Sequence, residues 1–333
     1  LVAPVEELTR PPEEGDGTSA TPADGATAPA LEKFVASIPV DHVGTSVYVK
    51  CWRRLLPNRP SVIVVHDLGE HTELYRNAAL DLVGHGFNVY VFDLRGHGRS
   101  GRRLGHAPSF NVLVRDLLQV AAWVRHKEGG QPPVIIGHGI GALITMDFTK
   151  AHGNLCRAAV LSAPCLELAS KVSLAARFII RVLAEVAPML RIPAMLAPRF
   201  AKELKHAHQP DPGDDEDRIS YFPRLTAVFA QELLSAIQRA EARFIEYHGS
   251  VLILCPEDDV ICSYRELKKS AAIHNENNLE IATLPGVGHS VLTEDEECRR
   301  KAFDVMIPWL SRVLSGTPRD PLGDLKIHGA SRR

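Results

Sequence analysis

The segment Gly137-His138-Gly139-Ile140-Gly141 follows an apolar run and opens a helical pattern. A glycine-flanked strand-to-helix turn of this form presents its central side chain, commonly a nucleophilic serine, above the end of a sheet. Here the central residue is Gly139, which has no side chain to present. Taken alone, the pattern is equally that of an ordinary turn whose glycines permit tight packing. Four other segments place polar chemistry at the ends of apolar runs. They are His66-Asp67-Leu68-Gly69-Glu70-His71, Asp93-Leu94-Arg95-Gly96-His97-Gly98-Arg99-Ser100, Cys255-Pro256-Glu257-Asp258-Asp259 and Gly286-Val287-Gly288-His289. His66, His71, His97 and His138 come from different segments with no H-x-x-x-H spacing, so no metal site is predicted and these rings are read as loop-ordering. The six cysteines, Cys51, Cys156, Cys165, Cys255, Cys262 and Cys298, form no CxxC pair and read as reduced thiols of a reducing compartment.

The elements that must position these segments alternate. Short apolar runs at 46–53, 61–66, 88–93, 133–136, 158–162 and 251–255 read as strands. Helical patterns at 74–83, 112–125 and 140–152 separate them. This alternation predicts an α/β fold with a mostly parallel central sheet flanked by helices. Residues 165–247 break the rhythm. They are helical in pattern, punctuated by Pro188, Pro193, Pro198, Pro210, Pro212 and Pro223, and contain no convincing strand. An insertion there would sit above the carboxyl ends of the strands, where α/β proteins bind ligands, so it is read as a helical cap.

Together and in this order, the five segments resemble the α/β-hydrolases of the monoacylglycerol lipase and lysophospholipase type, the serine aminopeptidase S33-like group. That family carries HG-x-GEH at its oxyanion loop, then D-x-RGHG-x-S, GHS-x-G, a G-x-x-D acid turn and a G-x-GH turn. The resemblance spans about 34–315. It implies an α/β-hydrolase fold, with Gly139 at the nucleophile position, Asp259 as the acid (Asp258 being the less favoured neighbour) and His289 as the base. The backbone N–H groups of Leu68 and Ile140 match the oxyanion donors. The spacings are 120 residues from 139 to 259 and 30 from 259 to 289, in the chain order nucleophile, acid, histidine expected for this fold.

Two departures bear on activity. Gly139 leaves no atom to form an acyl-enzyme. Loss of a catalytic serine alone is worth about 10⁶ in rate, or about 8 kcal/mol. Asp67 stands where the family has glycine, and a carboxylate aimed at the oxyanion site would repel the transition state by about 4 kcal/mol; the other reading is a solvated or salt-bridged loop residue. Glycine at the elbow also relieves a strained backbone conformation worth roughly 1–3 kcal/mol. Either natural loss or deliberate replacement produces such a glycine, and Asp67 favours natural loss. The expected function is therefore an impaired, lipase-like protein that binds an acyl ester or lysolipid under its cap. The alternative is a carboxylic-ester hydrolase carrying a serine-to-glycine change, or one in which His289 and Asp259 activate a water. Cys165 and Cys262 lie on no elbow and are not expected to act as nucleophiles.

Within the expected cap, residues 172–190 read as an amphipathic helix with Arg177, Arg181 and Glu185 at i, i+4 and i+8. Its apolar residues, Leu174, Phe178 and Val182 among them, are read as lining the ligand pocket or packing on the sheet domain. Arg191, Arg199, Lys202 and Lys205 could meet anionic headgroups, and the run Asp211 to Asp217 reads as a solvated loop. Low-complexity residues 1–33 and the tail 316–333 are expected to be loose, leaving a core of 34–164 and 248–315 around a cap of 165–247.

The chain has 333 residues with Lys+Arg 38 against Asp+Glu 40, a net charge of −2. That balance gives no footprint of nucleic-acid binding. No cofactor is predicted. No run of about 18 uninterrupted apolar residues is present, so a cytoplasmic location is expected, with peripheral membrane contact through the cap as a further option. Leu1 in place of Met marks a processed, trimmed or partial chain.

Overall fold

The computed structural model describes residues 30–100, 103–169, 172–193, 224–243, 249–273 and 279–316. Five interior strands are short runs of β-branched, aliphatic and aromatic residues: β3 (Ser61–Val65), β4 (Asn88–Phe92), β5 (Val134–His138), β6 (Ala158–Ser162) and β9 (Val251–Pro256). Every residue in them is buried. That pattern belongs to strands covered on both faces. With β1 (Leu31–Pro39), β2 (Ser46–Arg54) and β10 (Leu279–Leu284) they form one sheet of eight strands in the order β1-β2-β4-β3-β5-β6-β9-β10. β2 runs antiparallel to both β1 and β4, and the other neighbours are parallel.

Helices cover each face. One core packs α2 (Phe110–Lys127) and α3 (Ile140–His152) on the sheet through Leu113, Leu117, Ile144 and Phe148. The other packs α1 (Arg76–Gly84) and α7 (Glu296–Ser315) through Leu82, Ala302, Met306 and Leu310. This is the α/β-hydrolase arrangement expected from the sequence. The remaining described helices are α4 (Leu174–Val186), α5 (Ala227–Arg243) and α6 (Tyr264–Ile273).

The chain leaves β3 through α1 to reach β4 on one side, then returns through α2 to β5 on the other. The carboxyl ends of β3 and β5 therefore flank a topological switch point, where adjacent loops part and open a crevice. Close approach of α3 to β3 depends on Gly141. A β-carbon there would lie 2.1 Å from the Val65 carbonyl oxygen. Because that neighbour is backbone, Gly141→Ala is expected to cost about 3 kcal/mol, at the upper end of overpacking effects, measured as a lower urea midpoint at unchanged m-value.

Beyond shifts of one or two residues at element ends, the structure departs from the sequence reading as follows. β1 begins at Leu31, so residues 31–33 belong to a strand paired with β2, not to a loose end. Within 165–247, where no strand was expected, β7 (Arg191–Pro193) and β8 (Arg224–Thr226) form a short antiparallel ladder. The expected 172–190 helix ends earlier, at Val186, and its start is capped by the Ser173 hydroxyl, which accepts from Ala176 N–H at 3.2 Å. Arg199, Lys202, Lys205 and the acidic run from Asp211 to Asp217 lie outside the described residues, as do residues 1–29 and 317–333. No described helix is long and apolar enough to cross a membrane.

Candidate active site

Position 139 is the sharp turn between a strand and a helix that the sequence pattern predicts. β5 ends at His138, α3 starts at Ile140, and Gly139 between them has φ +53° and ψ −114°. Its N–H donates to the Ser162 carbonyl at 3.0 Å, which ties the turn to the end of β6. A positive φ of this kind is a strained conformation for any residue with a side chain.

The Asp67 carboxylate fills the space in front of this turn. A β-carbon built on Gly139 would lie 2.1 Å from Asp67 Cγ. Asp67 Oδ1 accepts the Ile140 N–H at 2.6 Å, so the group matched to one oxyanion donor is already engaged. Asp67 Oδ2 stands 3.0 Å from His289 Nε2. On the far side of the ring, His289 Nδ1 stands 2.8 Å from Asp259 Oδ2. The sequence left the direction of Asp67 open. It points inward, is 4% exposed and is paired with His289, so the solvated reading does not hold, while the salt-bridged one does.

Each member of this chain is fixed from behind. Glu70 Oε2 accepts from Asp67 N–H at 2.9 Å and from the Tyr75 hydroxyl at 2.6 Å, which anchors the β3–α1 loop. Asp259 Oδ1 accepts from Ile261 and Cys262 N–H, both at 2.8 Å, leaving Oδ2 for the histidine. Asp259, and not Asp258, reaches His289. Leu68 follows Asp67 in the same loop and is buried.

The charges in the site are interdependent. Burial disfavours a charged His289, but the charge and hydrogen bond of Asp259, with those of Asp67, outweigh it and raise the ring well above its usual range. Burial also opposes ionisation of Asp67, yet the hydrogen bond and charge of His289 hold it down to about 2. Both ring nitrogens then donate to carboxylates, as an imidazolium does.

The other singled-out side chains build the scaffold. His66 Nδ1 donates to the Asp67 carbonyl at 2.7 Å, and its Nε2 accepts from Leu94 N–H at 2.9 Å, which joins the ends of β3 and β4. His97 Nδ1 lies 3.1 Å from the Arg95 carbonyl. Asp93 accepts from Thr72 N–H and from Arg99 N–H, both at 2.7 Å. Arg95 forks onto Asp116 at 2.8 and 2.9 Å. Cys262 is buried, and burial with its Cys165 neighbour drives its thiol well above the usual range, against a nucleophilic thiolate.

Burial pushes His66 and His97 down to about 3. Unfolded, each takes up a proton near 6.5; folded, each waits until about 3. The unfolded state therefore binds more protons between those values, and stability falls as pH drops through them. Each ring is expected to contribute a slope approaching about 1.4 kcal/mol per pH unit, measured by urea denaturation across the interval.

Leu174, Phe178 and Val182 need correction as pocket-lining residues. They are 84%, 68% and 40% exposed. Ile180 is the buried residue of α4, and the stripe at 174, 178 and 182 lies on the opposite side of the helix. Ile179, Val186, Met189 and Leu190 are exposed as well.

Residues 57–296 match the family described as serine aminopeptidase, S33. The chain belongs to that family. Its relatives include a monoacylglycerol lipase of Mycolicibacterium smegmatis, 22% identical over 269 residues covering 80% of this chain and 93% of the relative. The monoglyceride lipase of Homo sapiens is 25% identical over 281 residues, covering 84% and 91% respectively. Among solved structures, the monoacylglycerol lipase of Paleococcus ferrophilus superposes with a TM-score of 0.68 at 23% identity, over 80% of this chain and 99% of that one. That likeness shows a shared fold.

Proposed function

We propose that this protein is a monoacylglycerol lipase- or lysophospholipase-like member of the S33 family whose serine-ester chemistry has been lost, and that it binds an acyl ester or lysolipid beneath a cap formed by residues 165–247. The observation that carries the first part is the position of Asp67. In a serine hydrolase the histidine Nε2 faces the nucleophile oxygen, and a backbone N–H faces the developing oxyanion. Here Asp67 Oδ2 takes the first partner at 3.0 Å and Asp67 Oδ1 takes the second at 2.6 Å. One carboxylate thus substitutes for both oxygens and holds a permanent negative charge where a transition state would develop its own. Gly139 at the nucleophile position is the complement of this arrangement, because a serine β-carbon and the Asp67 carboxylate cannot share the space.

The same contacts disfavour the water-based alternative. A general base needs a free lone pair, and His289 protonated on both nitrogens has none. The alternative of a carboxylic-ester hydrolase altered only at position 139 is disfavoured by Asp67, a second change directed at the same space.

Contact of the cap with a lipid surface is supported by the exposed apolar stripe on α4, beside which lie Arg177, Arg181 and Glu185. An exposed apolar face with two arginines and one glutamate beside it suits contact with a lipid surface through its apolar side chains. Incubation with a monoacylglycerol or lysophospholipid panel followed by native mass spectrometry is expected to show one retained lipid. Leu174→Glu with Phe178→Glu is expected to reduce co-sedimentation with anionic liposomes at least about tenfold, given about 0.8 kcal/mol for each buried methylene withdrawn. No retained lipid across the panel, and unchanged liposome binding, would contradict this part of the reading.

A further inference from the structure

We propose that Asp67, His138 and His289 form a binding site for one divalent transition metal of zinc type at the carboxyl ends of β3 and β5. One ligand atom from each of these three buried residues lies within 4.8 Å of the other two. Zinc bonds of about 2.0–2.2 Å in a tetrahedron set its ligand atoms about 3.3 Å apart, so the three close on an ion by small side-chain movements.

The second observation is His138. Its ring is 0% exposed, and its Nε2 has no hydrogen-bond partner. A buried polar nitrogen left in this way is costly unless something occupies it. Its ring centre lies 4.9 Å from that of His289. The two imidazoles therefore face one another with a carboxylate beside them, a donor set suited to zinc.

The outer contacts are those a metal site requires. Metal-bound histidines are held by a hydrogen bond to the other ring nitrogen. His289 Nδ1 is held by Asp259 at 2.8 Å, and His138 Nδ1 by the Ser162 hydroxyl at 3.2 Å. Asp67 keeps one oxygen on Ile140 N–H and has the other directed at His289. With neutral imidazoles, the carboxylates of Asp67 and Asp259 together match the charge of a divalent ion. Metal entry replaces the Nε2 proton that bridges His289 to Asp67. Three protein ligands leave a fourth position for water, beside the elbow at which Gly139 offers no hydroxyl. The inference does not depend on the acyl ligand.

Chelator-stripped protein dialysed against Zn²⁺ and assayed by elemental analysis is expected to retain one equivalent, with a saturable rise in melting temperature. His138→Gln and Asp67→Asn are each expected to weaken binding more than about 100-fold, beyond the roughly 10–100-fold cost of losing an outer contact. Circular dichroism checks that each variant is folded. Cys262 supplies the competing set, Asp259-Cys262-His289, so Cys262→Ser is expected to leave affinity unchanged. Co²⁺ on the unaltered chain gives a reading that needs no variant: a four-coordinate spectrum with no thiolate charge-transfer band is expected. Absence of stoichiometric zinc, full retention by His138→Gln, loss in Cys262→Ser, or a thiolate band would each overturn the proposal.

Discussion

Gly139→Ser alone is expected to restore no ester turnover, whereas Asp67→Gly with Gly139→Ser is expected to raise it by about 10³ or more. The expectation follows from one contact. A serine at 139 adds a β-carbon 2.1 Å from Asp67 Cγ, so the side chain must either displace the carboxylate or leave the elbow. Even if it stays, the Ile140 N–H and His289 Nε2 remain occupied by Asp67. Asp67→Gly alone clears the space but supplies no nucleophile. Only the pair returns a hydroxyl, a free histidine and an open oxyanion donor together. Residues that act as a unit are strongly non-additive in this way. Turnover of a p-nitrophenyl ester by the four proteins, unaltered, two single variants and double, measures it. Equal activity in Gly139→Ser and the double variant would show that Asp67 does not block the site.

Asp67→Asn is expected to destabilise the fold by about 3 kcal/mol, since removing one partner from a buried ion pair strands the other. Asp259 remains beside His289, which keeps the loss from exceeding the usual range. The pH dependence has a defined sign. The raised His289 contributes stability that is complete below its unfolded value of 6.5 and is lost as pH rises through the folded value. The lowered Asp67 contributes stability present above 3.8 and lost as pH falls towards about 2. The gap between the two proteins is therefore widest from 3.8 to 6.5 and narrows in alkali. Urea unfolding at several pH values measures it. A variant as stable as the parent would mean that desolvating the carboxylate cancels what the pair contributes.

The sheet and the elbow were legible because their signals are local. Runs such as SVIVV and AAVLS need burial on both faces, and α3 and β6 begin and end where the apolar pattern and its flanking glycine, histidine and serine place them. Asp259 and His289 could be matched because their turns carry the family motifs in chain order. Asp67 was legible as a departure but not as an occupant. Its partner Ile140 is 73 residues away and His289 222 residues away; the adjacency of β3 and β5 brings the first to it, and the loop after β10 brings the second. No metal site was read from the chain for the same reason: such a reading looks for close spacing, while the groups of the proposed site come from the loop after β3, the last residue of β5 and the loop after β10. On α4, helical periodicity reveals two faces without saying which one turns inward. β7 and β8 are three residues each, too short to show a period.

Whether the Asp67 carboxylate occupies the position of a nucleophile and its oxyanion is measured by a crystal structure of the unaltered chain. Asp67 Oδ1 is expected on Ile140 N–H at 2.6 Å and Asp67 Oδ2 within 3.0 Å of His289 Nε2, with an ion between Asp67 and His289 only when zinc is supplied. An Asp67 side chain turned to solvent, with Ile140 N–H and His289 Nε2 facing an open pocket, would contradict it.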